Sequence, residues 1–251
     1  MRLTLNRPDR RNALTHAMMR EIGEAAEIVR QSAEARALII RGAGGYFSAG
    51  GDMSMLAEIP PPVPAGETDP LHEPYRHFGY VLDALNKLPI PVVALVEGAA
   101  VGGGLGMACC ADVAITLSSA KFGMPEPKAG FIPSQIIPFV VRRIGEAAAR
   151  RLAVTSMVID GVEATTLGIT HYSFTTQSDA ELQLAQTLAE IGAGEPGAIA
   201  AVKRHVLECA TKADAEVMDG AVSSLVQLLR QPTSQQGIRA FTEKHLPPWA
   251  E

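Results

Sequence analysis

Apolar positions along this chain recur with two different periods, and the switches between them mark its elements. RLTLN, closed by Arg7-Pro8, reads as a short strand. In THAMMREIGEAAEIVRQSAEA, Met19, Ile22, Ala26 and Val29 form one stripe at helical spacing, and Thr15 stands where an N-cap is expected. ALIIRG is a buried strand ending in glycine. A helix is expected through Phe78, Val81, Leu82 and Leu85, stopped by LPIP, and PVVALVEG follows, apolar on both sides like a central parallel strand. After a glycine run and the strand DVAITL, the pattern turns helical to the C-terminus, with amphipathic stretches near 178–192, 196–211, 214–230 and 234–245. Strand, helix, strand in that order predicts an α/β fold with a parallel sheet. The boundaries expected are an α/β core over 1–175 and a helical region over 176–251. Between Ile59 and Pro70, five prolines and a glycine predict a mobile loop over one face.

Composition narrows the function classes. The chain has 251 residues, 47% apolar and 20% charged, with a formal net charge of −5, which argues against a nucleic-acid surface. Three cysteines, two of them adjacent, make no disulfide framework and read as small buried apolar residues. The start MRLTLNRPDRRN lacks the apolar core of a signal peptide. The uncharged run Gly98 to Ala111 is too short and glycine-rich to span a bilayer. A cytoplasmic protein without membrane attachment is expected. The six histidines show no ligand spacing, so no metal site is expected.

Two segments carry the candidate chemistry. GYFSAGGDM (Gly45–Met53) and EGAAVGGGLGM (Glu97–Met107) each follow a buried strand and are expected to lead into a helix, where the first N–H groups lack intrahelical partners. Facing each other, two such junctions offer two donors to one carbonyl oxygen, an oxyanion hole. Either loop alone is equally well a plain turn. The glycine run lacks the G-x-G-x-x-G spacing into a helix, and no acidic residue closes a following strand, which argues against a dinucleotide site.

LNRPDRRNAL (Leu5–Leu14), FSAGGDM, VEGAAVGGGLGMACCADVAI and KFGMPEPKAGFIP resemble, in order and spacing, the signature blocks of the crotonase family of enoyl-CoA hydratases and isomerases. The resemblance runs through GIRAFTEKHLPPW near the end. It implies a crotonase (ClpP-like) spiral of ββα units with a C-terminal helical region that builds a homotrimer or a dimer of trimers. Met1 opens on what resembles the family's second strand.

By position, the resemblance implies that Gly51 and Gly103 supply the two N–H groups for the thioester oxygen of an acyl-CoA, and that Glu126 is the acid-base carboxylate. Arg11, Ala13, Ala49, Asp52, Met53, Gly106 and Pro133 are implied to line the acyl or coenzyme A site. Phe241 and Lys244 match an aromatic and a lysine that reach the coenzyme A of a neighbouring subunit. His72, Tyr75 and His77 are further candidates for the acyl pocket. No permanently bound cofactor is implied, because coenzyme A arrives as part of the substrate. Arg142, Arg143, Arg150 and Arg151 are expected to face solvent or pair with acidic neighbours.

The chain departs from the family at one catalytic position. The usual hydratase carries a second glutamate just after the triple glycine, where this chain has Gly106. That departure, with FIPSQIIPFVVRRIG after the PE step, is similar to bacterial hydratases of 3-branched glutaconyl-CoA esters, the 3-methylglutaconyl and isohexenylglutaconyl types. Gly106 is then expected to leave room for a branch at Cβ. The alternatives are a Δ3,Δ2-enoyl-CoA isomerase and a non-catalytic acyl-CoA-binding or interaction module.

Overall fold

The structure is a computed structural model that describes residues 1–56 and 59–250. In chain order the core comprises β1 (Arg2–Leu5), α1 (His16–Gln31), β2 (Leu38–Gly42), α2 (His72–Asn86), β3 (Val92–Val96), β4 (Ala99–Val101) and α3 (Gly103–Cys109). It continues through β5 (Val113–Leu117), β6 (Lys121–Gly123), α4 (Ile137–Thr155), β7 (Val158–Asp160), α5 (Gly161–Thr166) and β8 (Tyr172–Phe174). Helices α6 (Gln177–Ala193), α7 (Pro196–Glu208), α8 (Asp214–Leu229) and α9 (Pro232–Glu243) complete the chain.

A five-stranded parallel sheet, ordered β1-β2-β3-β5-β8, forms one wall. Its central strand β3 is buried at every position, and alternation splits it between two cores. Val92, Ala94 and Val96 join the main core with α1, α2 and α3. Val93 and Leu95 face Ala180 and Leu184 of α6 instead. The helix stripe read from the sequence is the buried face of α1, and the Thr15 hydroxyl accepts from Met18 N at 3.1 Å. Such a cap contributes about 1 kcal/mol.

The second sheet, β4-β6-β7, matters more for function. Isolated parallel bridges extend it, Ser48 to Ala100 and Gly51 to Leu14. Each turn of the resulting ββα spiral thus contributes a rung to both sheets, and the two glycine loops become neighbouring rungs.

Four strands were not expected from the pattern. β4, β6, β7 and β8 have three residues each, and of β7 only Ile159 is buried, so no alternation shows. The helical pattern after residue 137 is therefore interrupted at β7 and β8. Arg143 also departs from expectation. Arg143 is half-buried, and its guanidinium donates to the carbonyls of Gly168, Ile169 and Ala111 at 3.0–3.1 Å, tying α4 to the turn before β8. Arg150 and Arg151 pair with Glu146 and Glu163 as expected. Lys203 anchors α7 to the sheet through the Ile90 carbonyl (3.0 Å) and Asp112 (2.7 Å). Among the described residues, no helix is long and apolar enough to cross a membrane.

Candidate active site

The two glycine turns meet because backbone pairing forces them together. Ser48 N donates to Ala99 O at 2.8 Å and Val101 N to Ser48 O at 3.1 Å. Gly50, at φ +92°, lies so near that a Cβ there would come within 2.8 Å of Val101 O. On its other side the loop pairs with Leu14, whose N donates to Gly50 O at 2.7 Å, while Asp52 N donates to Leu14 O at 2.9 Å. A parallel bridge spends the groups flanking Gly51 and turns Gly51's own N–H the other way. Among the described residues, no acceptor takes the N–H of Gly51 or of Gly103. Gly103 is the first residue of α3, so its amide also stands at the positive end of a helix.

The expected helix start after the first loop is not there. A short 3₁₀ turn over Met53–Leu56 follows, and α2 begins only at His72. The free amide of Gly51 therefore comes from the edge of a bridge rather than from a helix terminus.

Glu126 reaches this junction through β6. Gly102 N donates to Gly123 O at 2.9 Å, and the chain runs three residues on to Glu126. Gly102, at φ +51°, has no room for a side chain, because a Cβ would strike Glu126 Oε1. Glu126 Oε2 is buried and, among the described residues, has no hydrogen-bond partner. Burial raises the carboxyl above the ordinary value, offset in part by a backbone hydrogen bond. A base tuned upward in this way is better matched to proton transfer near neutral pH.

The same shift has a consequence for stability. The native state holds the Glu126 proton more tightly than the unfolded chain does. The contribution is therefore fully present below the unfolded value and is lost as pH rises through the raised native one. Glu126→Gln is expected to melt higher than wild type at neutral pH, with the gap closing as pH falls to about 4. Calorimetry at both pH values checks this, and a gap independent of pH would contradict it.

A bracket that the sequence did not reveal holds the Gly51 turn. Asn12 is fully buried with φ +55°, and its side chain accepts from Arg7 N at 2.8 Å and donates to Ala43 O and Tyr46 O at 2.9 and 2.6 Å. The buried Ser48 hydroxyl donates to Asn12 O at 2.9 Å and accepts from Gly50 N at 3.2 Å. Ser48→Ala is expected to lower kcat about tenfold with little change in KM, the size of one lost hydrogen bond in a positioning network. An unchanged kcat in a folded variant would contradict that role. The advance signal for Ser48 is a lone polar side chain between Phe47 and Ala49, whereas Asn12, directly after Arg10 and Arg11, gives none.

The coenzyme A candidates gather around this bracket. Arg7 donates to Ala13 O at 2.5 Å and pairs with Asp52 at 2.9 Å. Hydrogen bonds from the Ser54 hydroxyl and N–H, then from Arg7, bring the Asp52 carboxyl down to about 2. Asp52 is thus tied to Arg7 and Ser54 within its own turn. Ala49 is exposed and gives its N–H to Arg11 O, and Met53 is exposed beside it. The Arg11 guanidinium lies 5.4 Å from the Tyr46 ring centre and points to solvent.

Gly106 requires a correction. A Cβ at this position would strike Ile136, with Ile136 Cβ at 2.8 Å and Leu82 Cδ1 at 3.3 Å. The space that glycine leaves is filled by the protein's own Ile136, not kept open for a substrate branch. Pro133 is likewise buried in the segment that carries Ile136. Phe78 of α2 sits at the other end, with its ring tip 2.6 Å from where a Cβ of Gly103 would be.

Of the remaining candidates, His72 is exposed, Tyr75 packs edge-on to His16 at 5.7 Å, and His77 buries an unpartnered Nε2. Phe241, 89% exposed, and Lys244 stand at the end of α9, and among the described residues no backbone hydrogen bond joins them to the glycine turns. Among the described residues, no group of three or more His, Cys, Asp or Glu side chains could hold a metal ion.

A sequence profile described as enoyl-CoA hydratase/isomerase matches residues 1–251. A solved enoyl-CoA hydratase/isomerase from Marinobacter aquaeolei superposes with a TM-score of 0.95 at 39% identity, covering 100% of this chain and 95% of the other. Enoyl-CoA hydratase EchA19 of Mycobacterium tuberculosis is 33% identical over 98% of this chain and 91% of its own length. The mitochondrial methylglutaconyl-CoA hydratase of Mus musculus is 32% identical over 66% of this chain and 52% of its own.

Proposed function

The chain belongs to the enoyl-CoA hydratase/isomerase family, and on that premise we propose that it adds water across the double bond of a 2-enoyl-CoA. The observation that carries the reading is a buried Glu126 carboxylate with an unspent oxygen, set against a turn whose neighbouring amides are also unspent. The thioester oxygen accepts from the N–H groups of Gly51 and Gly103. Glu126 takes a proton from water as the water oxygen bonds to Cβ, and the π electrons move onto the thioester oxygen. The enolate collapses, and the same carboxyl delivers the proton to Cα. The net change is one water added. Each amide donor to such an oxygen contributes about 3–4 kcal/mol in the transition state.

The preferred substrate is a 2-enoyl ester branched at Cβ, of the 3-methylglutaconyl or isohexenylglutaconyl type. The segment after Glu126 and the likeness to a methylglutaconyl-CoA hydratase support this, whereas Gly106 no longer does. Coenzyme A enters as part of the substrate past Arg11, Ala13 and Asp52. A single carboxylate also suits proton transfer between C2 and C4, which is isomerisation. Incubation with 2-enoyl- and 3-enoyl-CoAs and mass analysis of the products separates the readings. Gain of one water supports hydration, a moved double bond at constant mass supports isomerisation, and no reaction leaves an acyl-CoA-binding module.

The assembly that fits is a homotrimer or a dimer of trimers. Val202 and Val206 of α7, Met218, Val222 and Leu225 of α8, and Phe241 of α9 leave large apolar side chains uncovered. Phe241 and Lys244 would then reach a neighbour's coenzyme A. Light scattering that finds a monomer would remove this part of the reading.

A further inference from the structure

We infer that Arg76, laid across Gly79 beside Gln135, binds a second carboxylate at the far end of the acyl chain, so that the site selects 2-enoyl thioesters of dicarboxylic acids. This inference rests on the substrate reading above, whose glutaconyl esters carry that second carboxylate, and adds the residue that holds it.

The other well-covered cations of the core have their partners. Arg41 spans Glu97 and Glu181, Lys203 holds Asp112, and Arg143 is spent on backbone carbonyls. Arg76 is half-buried and, among the described residues, forms no ion pair. Its polar contact is one long hydrogen bond to Gln135 Oε1 at 3.3 Å, and its guanidinium sits 4.0 Å from the centre of the Tyr80 ring. Its remaining donors are unspent. A planar guanidinium backed by an aromatic ring suits bidentate recognition of a carboxylate.

The guanidinium is also held in place. A Cβ at Gly79 would strike Gln135 Oε1 and come within 2.6 Å of Arg76 Nη1. The absence of a side chain at 79 is what lets Arg76 fold back over α2 against the segment that follows Glu126.

That segment links the cation to the reacting centre. Phe131 N donates to Glu126 O at 3.3 Å, and a few residues on stand Gln135, which contacts Arg76, and Ile136, which fills the space beside Gly106. On the same helix as Arg76, Phe78 touches Gly103. With the thioester on Gly51 and Gly103 and the double bond facing Glu126, a short acyl chain runs along this seam towards Arg76. The Arg11 side of the site, on the far side of Leu14, is left for coenzyme A.

Saturated esters test recognition without turnover. Titration calorimetry would compare glutaryl-CoA, butyryl-CoA and free coenzyme A on wild type, Arg76→Met, Arg76→Lys and Gly79→Ala. Wild type is expected to bind glutaryl-CoA about 10- to 100-fold tighter than butyryl-CoA. Arg76→Met should bring that ratio close to one, and Arg76→Lys should restore part of it, because a point charge lacks the fork. Gly79→Ala should reduce the ratio with the charge intact. Equal wild-type affinities would overturn the inference together with the glutaconyl substrate, whereas a wild-type preference that survives intact in Arg76→Met would overturn the inference alone. So would an Arg76→Met loss shared by all three ligands, which would assign the arginine to the coenzyme A phosphates. A wild type that prefers glutaryl-CoA yet hydrates no enoyl-CoA would sink the hydratase reading and leave Arg76's role standing.

Discussion

Glu126→Gln is expected to turn over 2-enoyl-CoA about 10²–10⁴-fold more slowly than wild type, with acyl-CoA affinity nearly retained. The amide keeps the size of the carboxylate, so the pocket against Gly102 stays filled. What it loses is the ability to take a proton from water and return it to Cα. Because Gly106 offers no second carboxylate, no other group described at the junction stands ready to share that work. The amides of Gly51 and Gly103 persist in the variant and should still polarise the thioester, so binding and slow residual reaction survive. Steady-state kinetics with calorimetric affinity checks this. A variant with ordinary kcat would remove Glu126 from the chemistry.

Gly106→Glu should fail at the level of folding rather than specificity. Its Cβ would enter the volume of Ile136, and overpacking of that kind costs about 1–3 kcal/mol. A carboxylate placed there without a partner adds several kcal/mol more, out of a native stability of about 5–15 kcal/mol. The melting temperature is expected to fall by roughly 10 °C or more, or the protein to come out insoluble. Adding Ile136→Ala opens the space and should recover much of the loss. A single variant that melts like wild type but changes its substrate preference would return Gly106 to the role of making room for a branch.

The contrast between these two positions shows what a sequence of this kind discloses. Glu126 stands between prolines in a block that matches the family's, so the resemblance pointed to it, whereas its burial against Gly102 left no mark in the sequence. Val92 to Val96 was legible because a strand covered on both faces must be apolar throughout. The stripe of α1 was legible because helical spacing puts it on one face. Gly106 was misread because the atoms that fill its space belong to Ile136, and volume complementarity between distant segments leaves no mark in a linear pattern. Asn12 and Ser48 were missed for a related reason. Their hydrogen bond joins residues 36 apart, and each is a single small polar side chain whose importance lies in being buried. Gly51 was placed by the family resemblance; the helix start expected after its loop does not form, and its free amide has a different origin, the alternation of a parallel bridge.

Two main-chain amides and one acid are proposed to converge on the thioester of the substrate. A crystal structure of Glu126→Gln with a 2-enoyl-CoA bound tests this convergence most directly. The thioester oxygen is expected within about 2.7–3.1 Å of the nitrogens of both Gly51 and Gly103, with the double bond facing residue 126. A thioester lodged elsewhere, or held by only one of those amides with residue 126 turned away, would contradict it.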